Sequence, residues 1–267
     1  MTNLSELTIV IKGAGEMASA VAWRLYMANF KKILMLDVAT PLAVRRKVSF
    51  CEALYDESQT VEGVKAIMAG AIGGIHTAWE QGRIAVAADS KWLLLQQVWP
   101  KVVVDAILAK KNLGTRMTDA ELVIGLGPGF TAGQDVHMVI ETNRGHDLGR
   151  ILTTGSAQAN TGVPGAIAGY ARERVLRSPA AGYFQTTRSI GDLVKTEEII
   201  GTVAGQKVTS RIDGVLRGLI RSEAKVTRGL KVGDVDPRGL KQFCYTISEK
   251  ARAIGGSVLE AVLRVYN

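Results

Sequence analysis

Apolar positions along the first hundred residues fall into short solid runs separated by helix-spaced stretches. Residues 7–12 (Leu-Thr-Ile-Val-Ile-Lys) are rich in β-branched side chains and predict a buried strand. Ala18, residues 20–22 and Leu25 follow with small apolar side chains, as in a helix packed closely on a sheet. Residues 33–36 predict a second strand, which ends in Asp37. Residues 60–67 read as strand or loop, 71–81 as a helix, and 84–88 as a strand followed by Asp89. A helix over 90–97 and a strand over 102–104, ending in Asp105, complete this half. Strands that end in aspartate and alternate with helices predict a parallel sheet with ligands at its carboxyl edge.

Beyond residue 115 the pattern changes to short strands and glycine turns. Residues 122–126 form an apolar strand, and residues 135–143 alternate Val136, Met138 and Ile140 against His137 and Glu141. A weak internal repeat relates residues 194–201 to 226–233 at an offset of 32. It resembles the paired half-motifs of biotinyl- or lipoyl-type barrel-sandwich domains, with Lys207 near the hairpin position that such carriers modify. The flanking methionines or acids of a carrier are missing, so Lys207 reads as a solvated hairpin lysine. Ser248 is a good helix N-cap, and Ala251, Ile254, Val258, Ala261 and Val262 recur at helical spacing behind it. Gly255 and Gly256 inside that helix each cost about 1 kcal/mol in propensity, which close backbone approach would explain. The fold expected is therefore α/β. A Rossmann-like parallel-sheet domain spans residues 1–115, and a β-rich, barrel-sandwich-like domain with a C-terminal helix spans 116–267.

Composition narrows the function classes. A chain of 267 residues with 47% apolar residues and 29 glycines has the length of one large or two modest domains and is too apolar for disorder. It has no run of about 18 apolar residues and no basic, apolar leader at its start, which predicts a cytoplasmic protein without a membrane span. Two distant cysteines, Cys51 and Cys244, read as reduced thiols. The formal charge of +8 favours anionic partners. The basic residues are scattered and aromatics make up only 6%, so nucleic acid is not the expected partner.

Two glycine-rich loops carry the candidate chemistry. Gly13 and Gly15 open a G-x-G-x-x-A loop between strand and helix, and Asp37 lies 24 positions after Gly13. This is the layout of a dinucleotide-binding unit and points to NAD(P) or another nucleotide. Glu16 inside the loop would compete with a pyrophosphate, and a turn that needs its glycines only for packing has the same pattern. Adjacent Arg45 and Arg46 could clamp a phosphate or carboxylate, or form a solvated basic turn. Gly127, Gly129 and Thr131 form the second loop, followed by the turn Arg144-Gly145-His146, and together they suggest the wall of a cofactor cleft. His137 and Glu141 would stand about 13 Å apart along a strand, too far to share an ion, so no metal site is expected. Asp234 and Asp236 could hold a cation or an arginine, or cap backbone N–H groups. Cys244, just before a helix start, is the candidate catalytic thiol with a lowered pKa, against the alternative of a buried structural thiol.

Long strings of the chain resemble the YqeB-type selenium-dependent molybdenum hydroxylase system proteins, which are distantly similar to XdhC-type accessory proteins. The resemblance is carried by Arg45-Arg46 with Phe50, by residues 61–64 (Val-Glu-Gly-Val), and by 110–115 (Lys-Lys-Asn-Leu-Gly-Thr). It continues through residues 124–133, 139–146, 148–150, 160–165, 214–220, 233–238 and 248–256. It implies a cytoplasmic accessory protein that helps mature molybdenum hydroxylases by handling the molybdenum cofactor, or its selenium or sulfur ligand. Its partners would be a hydroxylase client and an anionic small molecule, with Cys51 or Cys244 as a transient sulfur or selenium carrier. A nicotinamide-dependent oxidoreductase and a non-catalytic nucleotide-binding scaffold are the competing classes. Homo-oligomer formation is left open.

Overall fold

The computed structural model describes residues 3–267. The chain divides into two compact units. The first comprises the residues up to Pro41, Ser49–Asn160 and Ile247–Asn267; the second comprises Leu42–Val48 and Thr161–Thr246.

In the first unit, β1 (Ile9–Lys12) leads into α1 (Glu16–Met27) and β2 (Ile33–Asp37). The short α2 (Ala53–Asp56) precedes a hairpin of β3 (Ser58–Val61) and β4 (Val64–Met68), and α3 (Ile72–Glu80) leads to β5 (Ile84–Ala88). After α4 (Leu95–Val98) come β6 (Val102–Asp105), β7 (Leu122–Leu126), β8 (Thr131–Ala132), β9 (Met138–Ile140), β10 (Ile151–Leu152) and β11 (Gly155–Ser156). The long helix α5 (Glu249–Tyr266) returns to this unit after the second unit has been traversed.

The main sheet has the order β10-β9-β7-β6-β1-β2-β5-β4-β3. Its inner strands, from β9 to β4, run parallel, whereas β10 and β3 are antiparallel edges. β1, β6 and β7 are buried along their whole length, as parallel strands covered on both faces must be. Val10, Leu34, Leu36, Val103 and Val123 share a core with Ile75 and Ala78 of α3, with Trp79 and Leu95 packed against it. α1 packs on α5. There a Cβ on Gly255 would lie 2.9 Å from the Ala20 carbonyl oxygen, so the helices meet at a point where only hydrogen fits.

This architecture corrects the expected fold class. The protein is α/β, but its first unit is a mixed sheet and not a Rossmann-like domain of strands alternating regularly with helices. The connections from β6 to β7 and from β7 to β9 contain no α-helix, and α4 is only four residues long. Residues 58–68 form an antiparallel hairpin because Glu62 (φ 43°) and Gly63 (φ 82°) make a tight left-handed turn. The expected boundary at residue 115 falls between β6 and β7, inside the first unit. The C-terminal helix likewise belongs to the first unit and not to the β-rich one.

The second unit holds two four-stranded antiparallel sheets. One has the order β12 (Val175–Arg177), β19 (Lys231–Asp236), β17 (Gly214–Leu219), β14 (Leu193–Val194). The other has the order β16 (Gln206–Thr209), β15 (Ile199–Val203), β13 (Gly182–Gln185), β18 (Ala224–Val226). Phe184, Ile200, Val203, Val215, Leu216, Leu219, Val232 and Val235 fill their common core. The 32-residue repeat has a structural counterpart. Its first copy passes from β14 to β15 and its second from β18 to β19, crossing between the sheets in opposite senses, with Glu197 (φ 66°) and Gly229 (φ 81°) at matching turn positions. No α-helix occurs in this unit among the described residues.

Candidate functional site

β1 ends in a lysine although its apolar run is buried on both faces. The chain leaves β1 toward β2 on one side, while β6 lies on the other, so Lys12 and Asp105 stand at the carboxyl edge where strand order reverses. Crevices at such reversals are the usual ligand position in open α/β sheets. Lys12 is fully buried. Its Nζ donates to Thr115 Oγ1 at 2.8 Å and to Asp119 Oδ2 at 2.7 Å, and it sits 5.3 Å from the centre of the Trp92 ring. The Thr115 hydroxyl in turn donates a hydrogen bond to Asp105 Oδ2 at 2.7 Å. Burial pushes the Asp105 carboxyl above its ordinary range, although the bonds from Thr115 and the Ile107 N–H and the charge of Lys12 pull it back.

Local turns place each of these groups. Asn112 Oδ1 accepts the N–H groups of Gly114 and Thr115, and its amide donates to the Thr115 carbonyl, which fixes the threonine over Asp105. Asp119 closes a 3-10 turn, Met117–Asp119, and also accepts the Arg116 N–H. Asp89 accepts the N–H groups of Lys91 and Leu94 and so holds the turn that carries Trp92.

Lys12 and Asp119 open on a cavity of about 660 Å³ whose wall includes Trp92, Trp99, Lys91, Lys101 and Arg116. Trp92 (φ 59°) and Trp99 (φ 49°) both have left-handed backbone, a costly conformation for bulky residues that concentrates at functional sites. Trp99 is 79% exposed at the rim. The wall thus holds two indole rings, a buried ammonium and three further cations, together with two carboxylates, Asp119 paired with Lys12 and Glu121 paired with Lys101.

The residues predicted from sequence lie elsewhere. Gly13 does stand at the sheet's carboxyl edge, but a Cβ there would sit 3.2 Å from the Ala106 carbonyl oxygen, so the glycine admits the loop after β6. The Gly13 N–H donates to the Leu36 carbonyl, and the Ala14 carbonyl accepts from the Cys51 N–H and the Ser19 hydroxyl. Asp37 accepts the N–H groups of Ala14 and Val38, each at 2.8 Å, and burial raises its pKa against their pull. It fastens the loop where the dinucleotide layout would turn it to a ribose. Gly15 N-caps α1, and Glu16 accepts a hydrogen bond from the Ser248 hydroxyl at 2.9 Å. The polar groups of this loop are largely spent within the fold.

Arg45 and Arg46 do not form an anion clamp. Arg45 is buried and donates to the carbonyls of Phe243 and Thr246, while Arg46 Nε donates to the Leu219 carbonyl, so the pair ties residues 42–48 into the second unit. In the second glycine loop, a Cβ on Gly127 would collide with the Thr142 hydroxyl, and one on Gly129 would lie 2.6 Å from the Lys111 nitrogen. These glycines serve chain crossings. The Thr131 N–H caps onto Asp135, Arg144 pairs with Glu249 in the first turn of α5, and His146 is exposed. His137 Nδ1 accepts the Val123 N–H and Glu141 accepts those of Asn143 and Gln158, so each is committed separately. No cluster of three potential metal ligands occurs among the described residues. Asp234 and Asp236 hold arginines, Arg174 on the former and Arg217 and Arg238 on the latter.

Cys244 is not at a helix start. It ends the 3-10 turn Lys241–Cys244, is fully buried, and offers its thiol to the Leu216 carbonyl at 3.7 Å. Burial pushes that thiol up, and Arg45 and Arg217 do not pull it back to its ordinary value. The expected lowered pKa is thus reversed. Cys51 is buried as well.

No family model matches the chain. It is 48% identical over 259 residues to the uncharacterized protein YqeB of Escherichia coli (strain K12), which covers 97% of this chain and 48% of YqeB. The chain thus spans about half the length of that curated relative. Among solved structures, a succinylglutamate desuccinylase/aspartoacylase from Rhodobacter sphaeroides is 24% identical over 33% of this chain and 30% of its own, with a TM-score of 0.22. TcdA (CsdL) is 11% identical over 97% of this chain and 89% of its own, with a TM-score of 0.27. Likenesses at these scores transfer neither fold nor activity. No helix among the described residues is long and apolar enough to cross a membrane.

Proposed function

We propose that this YqeB-like chain is a cytoplasmic accessory protein of molybdenum hydroxylase maturation that binds an anionic, heteroaromatic cofactor in the Lys12 cavity. The cofactor class is the molybdenum cofactor or its nucleotide-bearing form. The observation that carries this reading is the buried Lys12 ammonium at the floor of a cavity walled by Trp92 and Trp99.

Supporting it, the cavity has the volume of a small-molecule site, about 300–1,000 Å³. Lys91 and Arg116 would meet the phosphate charge, with Lys12 and Lys101 already paired to Asp119 and Glu121, and the indole rings would stack on the pterin or base. Asp119 and the Thr115 hydroxyl hold the ammonium in place before any ligand arrives. The selenium- or sulfur-carrier variant of the reading loses its support, because both cysteines are buried. Under the proposal the chain holds the cofactor and a client supplies the chemistry on it.

Quenching of tryptophan emission tests this directly. Titration with molybdenum cofactor released from a hydroxylase is expected to quench Trp92 and Trp99, and Lys12→Met or Arg116→Gln to weaken binding at least tenfold. Tight NAD(H) binding instead, or cofactor binding indifferent to Trp92→Leu and Arg116→Gln, would overturn it.

A further inference from the structure

The second unit carries a separate cavity whose wall is basic. It measures about 410 Å³ and is lined by Arg172, Arg177, Lys207 and Arg211, with no carboxylate and no aromatic ring in its wall. β12 is an edge strand of one sheet and β16 an edge strand of the other, and the cavity opens between them. Arg177 lies in β12 with Arg172 just ahead of it, and Lys207 lies in β16 with Arg211 just beyond it. Each sheet therefore contributes two cations to one concave wall. Among the described residues, Arg177 is anchored to the backbone by a bond from its Nη1 to the Gly229 carbonyl at 2.9 Å. Backbone N–H groups of its own turn, its own and that of Ala171 first, draw the Glu173 carboxyl down, with a lesser pull from the Arg172 charge, and it lies outside the wall.

Edge strands commonly carry Lys or Arg to block pairing with other chains. That role needs neither a concavity nor four charges converging from two sheets. All four cations are exposed, so water and salt screen their mutual repulsion, and what the wall offers an anion is several donors converging on one concavity. The lack of rings separates this cavity from the Lys12 cavity, since nothing here would stack on a base. The ligand would be read by charge and hydrogen bonding alone, with Ser178 and Thr209 adding hydroxyls to the wall.

We infer that the second unit binds a polyphosphate anion, a group of two or more linked phosphates, between the edge strands β12 and β16. The phosphates could be free or belong to a nucleotide, and the shared chemistry is the linked phosphate chain. This inference is independent of the cofactor proposed for the Lys12 cavity.

Calorimetric titration of the full chain with inorganic tripolyphosphate tests it, with orthophosphate and ATP run at equal ionic strength. Tripolyphosphate is expected to bind well above orthophosphate. ATP binding equally tightly and weakened by Lys207→Gln identifies a nucleotide's phosphates as a sufficient source, and ATP binding more weakly identifies the free anion. Lys207→Gln and Arg211→Gln are each expected to weaken binding about tenfold, with unchanged thermal melting. Lys225→Gln, exposed on β18, and Arg116→Gln, in the Lys12 cavity, are expected to leave it unaltered. Equal losses in Lys225→Gln would reduce the effect to diffuse charge and overturn the proposal. So would tripolyphosphate binding no tighter than orthophosphate, or loss in Arg116→Gln alone. A single-stranded oligonucleotide bound through Lys207 and Arg211 without tripolyphosphate binding would replace the proposal with nucleic-acid recognition.

Discussion

The Lys12 ammonium meets the Asp119 carboxylate at 2.7 Å, with the lysine side chain 1% exposed and the aspartate 18%. Burial makes this pair matter most when it is broken. Removing one member leaves the other without its counter-charge in a low-dielectric site, at a cost of about 3 kcal/mol. Lys12→Met is therefore expected to lower unfolding free energy by that order in urea titration. Lys12→Met combined with Asp119→Leu should recover part of the loss, and a purely additive double variant would contradict the coupling.

Asp105 sets a pH dependence at the same cluster. Its folded pKa lies above its ordinary 3.8, with burial as the main cause, so the folded state holds that proton more tightly than the unfolded chain. The resulting stabilisation is present below 3.8 and is lost as pH rises through the raised folded value. Asp37 shifts in the same direction, also chiefly through burial. Asp105→Asn keeps an acceptor for Thr115 and is expected to flatten the decline over that interval. Urea midpoints measured from about pH 3 to about pH 8 for the variant and the parent would reveal it. Identical slopes would remove Asp105 from the account.

The second glycine loop separates a packing role from a ligand-cradle role. Gly129 (φ 113°) has the Lys111 backbone nitrogen where a Cβ would go, while Gly133 (φ 82°) faces open space. Gly133→Ala should lose about 1 kcal/mol, the backbone penalty alone. Gly129→Ala should lose about 3 kcal/mol, because backbone must also move. Thermal melts of the two variants check the ordering, and equal losses would contradict it.

Cys51 and Cys244 should both resist a disulfide-exchange reagent in the native protein and react only as it unfolds in urea. Cys244→Ala should cost about 1–2 kcal/mol of stability through lost packing. Rapid native labelling of Cys244 would revive the reactive-thiol reading.

The parallel strands were legible because each is buried on both faces and so reads as a continuous apolar run, as in β1, β2, β5, β6 and β7. The hairpin of β3 and β4 was not separated from a loop, since its partly exposed residues carry a weak pattern. The stripe from Ala251 to Val262 identified the apolar face of α5 but held no information on which unit it covers; Gly255 and Gly256 together pointed to a close neighbour, which stands at Gly255 while Gly256 faces open space. Sequence placed Asp105 at the sheet edge yet passed over Lys12, whose partners Thr115 and Asp119 come 103 and 107 residues later. Proximity of that kind comes from the order of strands, which a linear pattern does not encode. The glycine motifs were visible as turns. Whether a glycine makes room for a ligand or for another stretch of backbone depends on what lies opposite, and at Gly13 and Gly129 it is backbone.

The return of α5 to the first unit has a consequence during synthesis. On the ribosome, α1 and every strand of the main sheet are made before residues 161–246, and the helix that covers α1 is made after them. Residues 42–48 emerge early yet belong to the second unit, so each unit waits on a piece of the other's stretch of chain. Domains usually complete in the order they are translated. Here the second to begin is the first to finish: a nascent chain halted after residue 246 contains all of the β-rich unit while the surface of α1 is still wet.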